Sequence, residues 1–240
     1  MGNSGTSARL LMGLVAGHNI MAQFTGDTSL CKRPMKRVIN PLTQMGAAFS
    51  DDQDGTLPLT LQGSDALSPI EYKLPVASAQ VKSAILLAGL NAQGTTIVIE
   101  DVPTRDHTEN MLKGFGVDIN TEQNAGGSYL ISIKGGQKLS ACHIDVPTDP
   151  SSAAFPTVAA LLCEGSDITL PAVGMNDRRN GIYKVLQQMG ADLILQNERI
   201  VAGEPVADIH VKDTNTLRGV IVDPALVPSM IDEFPVLVMA

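Results

Sequence analysis

Four of the seventeen Lys and Arg residues fall in one short run, Asp27-Thr-Ser-Leu-Cys-Lys32-Arg33-Pro-Met-Lys36-Arg37. Such a run is ordinarily a solvated helix face, and Pro34 reads as a helix-start residue. Its functional reading is a guanidinium beside a helix start, able to hold a carboxylate or phosphate bidentately. The opening Gly2-Asn-Ser-Gly-Thr6 is similarly double-edged. Helix N-termini present unpaired N–H groups and a positive dipole end, and Gly5 lets a ligand approach the backbone. Yet Ser and Thr there also serve as plain caps.

Three further sites carry polar groups at expected helix starts. Ser78-Ala79-Gln80 offers a hydroxyl and an amide, both neutral donors. Thr104-Arg-Asp-His-Thr-Glu109 reads as a capped helix start, with Arg105 either meeting an anion or pairing with Asp106. Asp232 and Glu233 head an apolar stretch near the C-terminal end, where an acidic pair more often complements a helix dipole than performs catalysis.

These residues need elements to position them, and the elements recur. Segments starting at Ser4, Ser78 and Ser151 each run from small polar residues into a small-residue apolar helix, 74 and 73 residues apart. A β-rich stretch follows each, at 20–25, 95–100 and 167–170. A second amphipathic helix then closes on Gly46, Gly116 and Gly190, spaced by 70 and 74 residues. Glycine just past a helix supplies the left-handed conformation that caps it. Two strands complete the unit, such as 129–134 and 193–195. The order is therefore helix, strand, helix, two strands, an α/β repeat of about seventy-four residues. A fourth copy is expected from Ser229, 78 residues after Ser151. The chain then ends inside an apolar helix and begins on a helix cap with no preceding strand, so its ends are expected to be cut.

Composition excludes several functions. Hydrophobic residues make up 44% and charged residues 18%, with aromatics at 3% and no Trp. The core must therefore come from Ala, Val, Ile, Leu and Met. A formal charge of −8 argues against a general nucleic-acid binder, so any anion must be caught by a few local Lys and Arg. Cys31, Cys142 and Cys163 lack CxxC spacing and read as reduced thiols. The four histidines are scattered, which disfavours a metal site. The uncharged run 150–163 falls short of the roughly 18 apolar residues a membrane helix needs. No secretory leader is expected, since Met1 runs at once into Gly-Asn-Ser-Gly-Thr.

Gly2-Asn-Ser-Gly-Thr6, Lys32-Arg33-Pro34-Met35, Ser78-Ala-Gln80, Thr104-Arg-Asp-His-Thr-Glu109, Asp149-Pro-Ser-Ser152 and Ile231-Asp-Glu-Phe-Pro235 occur in order and at fitting distances. In these the chain closely resembles the 5-enolpyruvylshikimate-3-phosphate synthases, over essentially its whole length but only a little over half of a full family chain. Its Ser-Ala-Gln and Thr-Arg-Asp-His variants resemble the bacterial subgroup often tolerant of glyphosate. The resemblance implies an incomplete two-lobed enolpyruvyl transferase fold of βαβαββ units, with 1–146 forming most of the first lobe and 147–240 beginning the second. It implies transfer of the enolpyruvyl group of phosphoenolpyruvate to the 5-hydroxyl of shikimate 3-phosphate, with no metal or organic cofactor. A cytoplasmic location, a monomeric full-length enzyme and glyphosate as family inhibitor are implied as well.

Residue by residue, Gly5 resembles the glycine lining the phosphoenolpyruvate pocket and Arg33 its anion-binding arginine. Asn3 is a weaker match there. Ser78, Ala79 and Gln80 resemble the shikimate 3-phosphate contacts, Gln80 also reaching the enolpyruvyl part, and Arg105 is a weaker match. Asp232 resembles the carboxylate that receives the hydroxyl proton. The rival sister enzyme, acting on UDP-N-acetylglucosamine, usually carries a reactive Cys five residues before the Arg-Pro pair, where this chain has Thr28. A non-catalytic anion-binding module on the same repeats is the other alternative.

The family's early Lys-Ser-…-Arg phosphate motif is absent, as are the acidic proton donor and basic residues expected after Asp232. Positioning and charge stabilisation supply most of such a barrier. Expressed by itself in a cell lacking the enzyme, this 240-residue chain is expected not to restore growth without aromatic amino acids. Restored growth would refute that expectation.

Overall fold

The computed structural model describes residues 1–50 and 54–240. The chain divides into two compact units, Met1–Thr104 with Gly116–Ser140, and Arg105–Phe115 with Ala141–Ala240.

The first unit opens with α1 (Gly5–Ala16), β1 (Met21–Phe24), the single turn α2 (Thr28–Cys31), α3 (Lys36–Met45), β2 (Ala48–Ser50) and β3 (Leu59–Gln62). A second pass follows with β4 (Glu71–Lys73), α4 (Ala79–Gly89) and β5 (Thr95–Glu100). The chain then leaves for α5 (His107–Gly114), which belongs to the second unit, and returns for β6 (Ile119–Gln123) and β7 (Tyr129–Lys134). The second unit continues with α6 (Pro150–Leu162), β8 (Asp167–Gly174), α7 (Gly181–Gln188), β9 (Leu193–Val201) and β10 (Glu204–Lys212). It ends in 3-10 turns at Pro224–Ser229 and Ile231–Glu233 and the short α8 (Phe234–Leu237).

Sheet topology repeats with the sequence period. The orders are β1-β3-β2, β4-β5-β7-β6 and β8-β10-β9. Each places the last strand of a pass between the first and second, antiparallel to both. In the middle sheet β4 adds a parallel edge strand to β5. A single parallel bridge from Thr148 to Val173 stands where β4's counterpart would lie before α6. The closing glycines Gly46, Gly116 and Gly190 have φ of 111°, 79° and 95°, the left-handed conformation their positions demanded.

Helices α1 and α4 pack directly on each other. Gly5, Ala8, Met12, Gly13 and Ala16 form the buried stripe of α1 at helical spacing. Burial in α4 covers Val81 to Leu86, Ala88 and Gly89, nearly the whole circumference. A β-carbon on Gly13 would fall on the backbone of Ala84, so glycine sets how closely the axes approach. In the second unit, α6 and α7 cover the β8-β10-β9 sheet through Ala154, Val158, Leu161, Ile182, Leu186, Ile209 and Val211.

The fourth helix start differs from expectation. Ser229 lies inside a 3-10 turn and its hydroxyl donates to the Leu226 carbonyl, so it caps nothing. Pro235 lacks the N–H that a continuous α-helix from Ser229 would donate to the Ile231 carbonyl, and the helix begins only at Phe234. Among the described residues, no helix is long and apolar enough to cross a membrane.

One buried ion pair ties α4 to β5. Lys82 Nζ lies 3.1 Å from Glu100 Oε1, both side chains being almost fully buried. Glu100 Oε2 accepts from the Thr104 hydroxyl (2.7 Å) and backbone N–H (3.2 Å). Lys82→Met would strand this carboxylate, so we expect a loss of about 3–5 kcal/mol in urea unfolding. A loss below 1 kcal/mol would show that the pair is not carrying this junction.

Candidate functional site

Every candidate residue sits at or beside a helix start, and the two units hold separate groups. In the first unit, Ser4 caps α1 by accepting from the Ser7 N–H (3.1 Å). Gly5 then occupies the first helical position and is buried. Asn3, just before the cap, spans two charges: its Nδ2 donates to Asp27 Oδ2 (2.7 Å) and its Oδ1 accepts from Arg33 Nη2. Asp27 caps α2 through the Leu30 N–H (2.8 Å). That backbone donor, then the Asn3 amide, hold its carboxyl below the ordinary carboxylate range against a smaller effect of burial.

Ser78 caps α4, accepting from the Val81 N–H at 3.4 Å, with Ala79 first in the helix. Gln80 follows at the second helical position, as Thr6 does in α1, and the two meet: Gln80 Nε2 donates to Thr6 Oγ1 (2.8 Å). Gln80 Oε1 accepts from Arg9 Nη1 at 2.6 Å. Arg9 Nη2 donates to the Pro34 carbonyl (3.2 Å). A β-carbon on Gly5 would lie 3.2 Å from both Arg33 Nη1 and Arg9 Nη1. Two guanidinium groups therefore face one glycine at a helix N-terminus, and neither has a carboxylate within ion-pair distance among the described residues. Burial, followed by the charges of Arg33 and Arg37, lowers the pKa of Arg9.

Asn3, Gly5, Arg33 and Gln80 are thus brought together, with Ser78 and Ala79 at the same end of α4. Arg9 is the residue that spacing should have exposed. It lies four residues after Gly5, one turn along the same helix face. A cavity of about 510 Å³ in this unit is lined by Gly17, His18, Asp65, Asn91 and neighbours near the opposite ends of α1 and α4. No Lys or Arg lines it, so its volume does not make it an anion site.

In the second unit, Arg105 Nη2 lies 2.9 Å from Asp232 Oδ2. The alternative pairing with Asp106 does not form. Asp106 instead accepts from Asn176 Nδ2 (2.7 Å) and Arg178 Nε (3.3 Å), and its side chain does not cap α5. Asp232 is exposed, and its Oδ1 makes no hydrogen bond among the described residues. The adjacent Glu233 is buried and accepts from the Ser151 hydroxyl. Arg179 Nη2 donates to Ser151 Oγ (2.5 Å) and Asp149 Oδ1 (3.1 Å). The third helix start, at Ser151, therefore anchors the acidic pair in the 3-10 turn that follows Ser229. Burial raises the pKa of Tyr183 in this network, and the charges of Glu233 and Asp149 raise it further. Its hydroxyl donates to the Pro150 carbonyl at 2.6 Å.

Residues 1–240 match the family model described as EPSP synthase (3-phosphoshikimate 1-carboxyvinyltransferase). A 3-phosphoshikimate 1-carboxyvinyltransferase of Novosphingobium aromaticivorans is 58% identical over 240 residues, covering 100% of this chain and 54% of the relative. EPSP synthase from Acinetobacter baumannii superposes with a TM-score of 0.88 at 52% identity, over 98% of this chain and 52% of that one. The enolpyruvyl transferase NikO from Streptomyces tendae shares the fold at a TM-score of 0.60 and 16% identity, over 85% of this chain and 46% of its own. The chain thus spans about half the length of the relatives it matches.

Adding one methyl group at Gly5 tests the packing of the two guanidinium groups. Gly5→Ala would displace both by a few tenths of an ångström from their present rotamers. We expect binding of inorganic phosphate, used as an anion probe and followed by NMR titration, to weaken about 2–10-fold, matching the roughly 0.5–1.5 kcal/mol of an off-rotamer side chain. Unchanged binding would place the anion elsewhere.

Proposed function

Because this chain belongs to the EPSP synthase family, we propose that it carries part of the machinery moving the enolpyruvyl group of phosphoenolpyruvate to the 5-hydroxyl of shikimate 3-phosphate, with release of phosphate. The observation that carries this reading is the pair of guanidinium groups, Arg9 and Arg33, facing Gly5 at the start of α1. A small anion there gains the helix-start N–H groups and two positive charges together.

In this reading Arg33, Asn3 and Gly5 receive phosphoenolpyruvate. Ser78, Ala79, Gln80 and Arg105 contact shikimate 3-phosphate, Gln80 reaching both substrates. Asp232 takes the proton of the 5-hydroxyl as its oxygen bonds to C2 of phosphoenolpyruvate, and C3 gains a proton. Loss of phosphate from the tetrahedral adduct, with return of a C3 proton, regenerates the double bond. Supporting the assignment of Asp232 are its exposure and an Oδ1 with no hydrogen bond among the described residues, while the adjacent Glu233 is buried and tied to Ser151. Charge and position do this chemistry, so the reading calls for no metal or organic cofactor. Residues 1–146 and 147–240 are read as parts of the family's first and second lobes. Glyphosate is read as an inhibitor, the location as cytoplasmic and the full-length enzyme as a monomer, without nucleic-acid or membrane partners.

The test is a chimera in which residues 1–240 replace the matching stretch of the Novosphingobium relative. We expect it to form the enolpyruvyl ether. Asp232→Asn in the chimera should lower kcat by about 10²–10⁴, the usual worth of a general base, with little change in KM for phosphoenolpyruvate. A folded but inactive chimera, or an Asn variant at full rate, would overturn the assignment.

A further inference from the structure

Gln80 has an ambiguity that any buried or half-buried amide shares: its oxygen and nitrogen are nearly alike in shape but opposite in hydrogen bonding. Its neighbours resolve the choice. Arg9 reaches one end of the amide at 2.6 Å, and a guanidinium can only donate. That end must be Oε1. The other end must be Nε2, which is 2.8 Å from Thr6 Oγ1, a hydroxyl able to accept. One Nε2 hydrogen is used there and the second remains for a ligand.

We infer that Arg9 is a positioning residue that locks the Gln80 amide with its oxygen turned away from a bound anion, so that Gln80 can act only as a donor. The ligand part of this inference rests on the phosphoenolpyruvate reading above, whereas the amide lock does not. Without the lock the amide could turn over and present its carbonyl oxygen to the anion, replacing an attraction by a repulsion. Arg9 is itself held by neutral oxygens, Gln80 Oε1 and the Pro34 carbonyl. Such acceptors engage its N–H groups without a carboxylate to cancel its charge. Arg9 is also a turn of helix behind Gly5, and Gln80 stands one repeat away in the chain. The lock therefore spans the two repeats at their helix starts.

Three variants of the full chain test this. In wild type, nuclear Overhauser contacts should join the Gln80 side-chain amide protons to Thr6. Arg9→Met should lose them and Arg9→Lys, which keeps a donor, should retain them. Contacts unchanged in Arg9→Met would overturn the lock. Gln80→Glu keeps the shape but makes the acceptor anionic, pairing with Arg9. It should raise the melting temperature and abolish the response to phosphoenolpyruvate, and an unchanged melting temperature would overturn the Arg9 contact even if Arg9→Met fails to fold. A double-mutant cycle separates positioning from bare charge. Arg9→Met should weaken phosphoenolpyruvate binding at least tenfold in wild type and clearly less in a Gln80→Ala background. Equal losses in both backgrounds would show that Arg9 does not act through Gln80. A wild-type chain blind to phosphoenolpyruvate would sink the substrate reading, while the amide contacts would still decide the lock.

Discussion

The backbone contact between α1 and α4 is the constraint from which the first unit follows. A glycine at position 13 lets the helix lie against the backbone of Ala84, closer than any side chain would allow. At that separation the two N-terminal ends are neighbours, and residues at the same helical position in successive repeats touch. Thr6 and Gln80 are such a pair, 74 residues apart, one full period. The buried stripe of α1 that lies along this contact is accordingly built of Gly and Ala with one Met. The scarcity of aromatics is the compositional price of that packing, and close van der Waals contact of small residues replaces it.

Much of the scaffold could be read from the chain because it is written locally and then repeated. Glycine closing the second helix of each pass needs only its own left-handed conformation, and all three such positions have it. Strand placement followed alternation and turn residues, although β8 and β9 extend past their expected ends to Gly174 and Val201. There the ladder to β10 supplies hydrogen bonds that no local pattern announces. The fourth helix start was misjudged for a related reason. Its apolar spacing points to a helix from Ser229, but Pro235 removes an interior hydrogen bond and 3-10 turns fill the stretch before Phe234.

The site was legible as a set of helix starts and illegible as a set of partners. Residue type alone left Gly5, Arg33 and Gln80 double-edged, and it was the resemblance to the family's motifs that picked them out together with Asn3. What each one touches depends on the fold bringing together positions 30 or more residues apart, as with Asn3 and Arg33, or Arg9 and Gln80. The same limit hid the part played by Ser151. Its hydroxyl meets Glu233, 82 residues on, and so fixes the turn that carries Asp232. Arg105 shows the converse. Its neighbour in sequence, Asp106, was the obvious partner, yet Asn176 and Arg178 occupy that carboxylate and Arg105 reaches Asp232.

How the chain handles its positive charges separates scaffold from site. Lys82 is matched by Glu100 and Arg179 by Asp149, so those charges are compensated where they stand. At the head of α1 the acceptors are different. Arg9 meets an amide oxygen and a backbone carbonyl, and Arg33 meets the Asn3 amide. Asn3 also donates to Asp27, so an uncharged side chain stands between that carboxylate and the Arg33 guanidinium. A direct Asp27–Arg33 ion pair would instead occupy that guanidinium with a carboxylate and compete with any incoming anion. Neutral acceptors orient both guanidinium groups, and among the described residues neither is held in a direct ion pair, although Arg33 acts on Asp27 at longer range. In a chain carrying a net charge of −8, Arg9 and Arg33 form a local cluster of positive charge at the start of α1, and the anion-binding role proposed for it rests on that cluster.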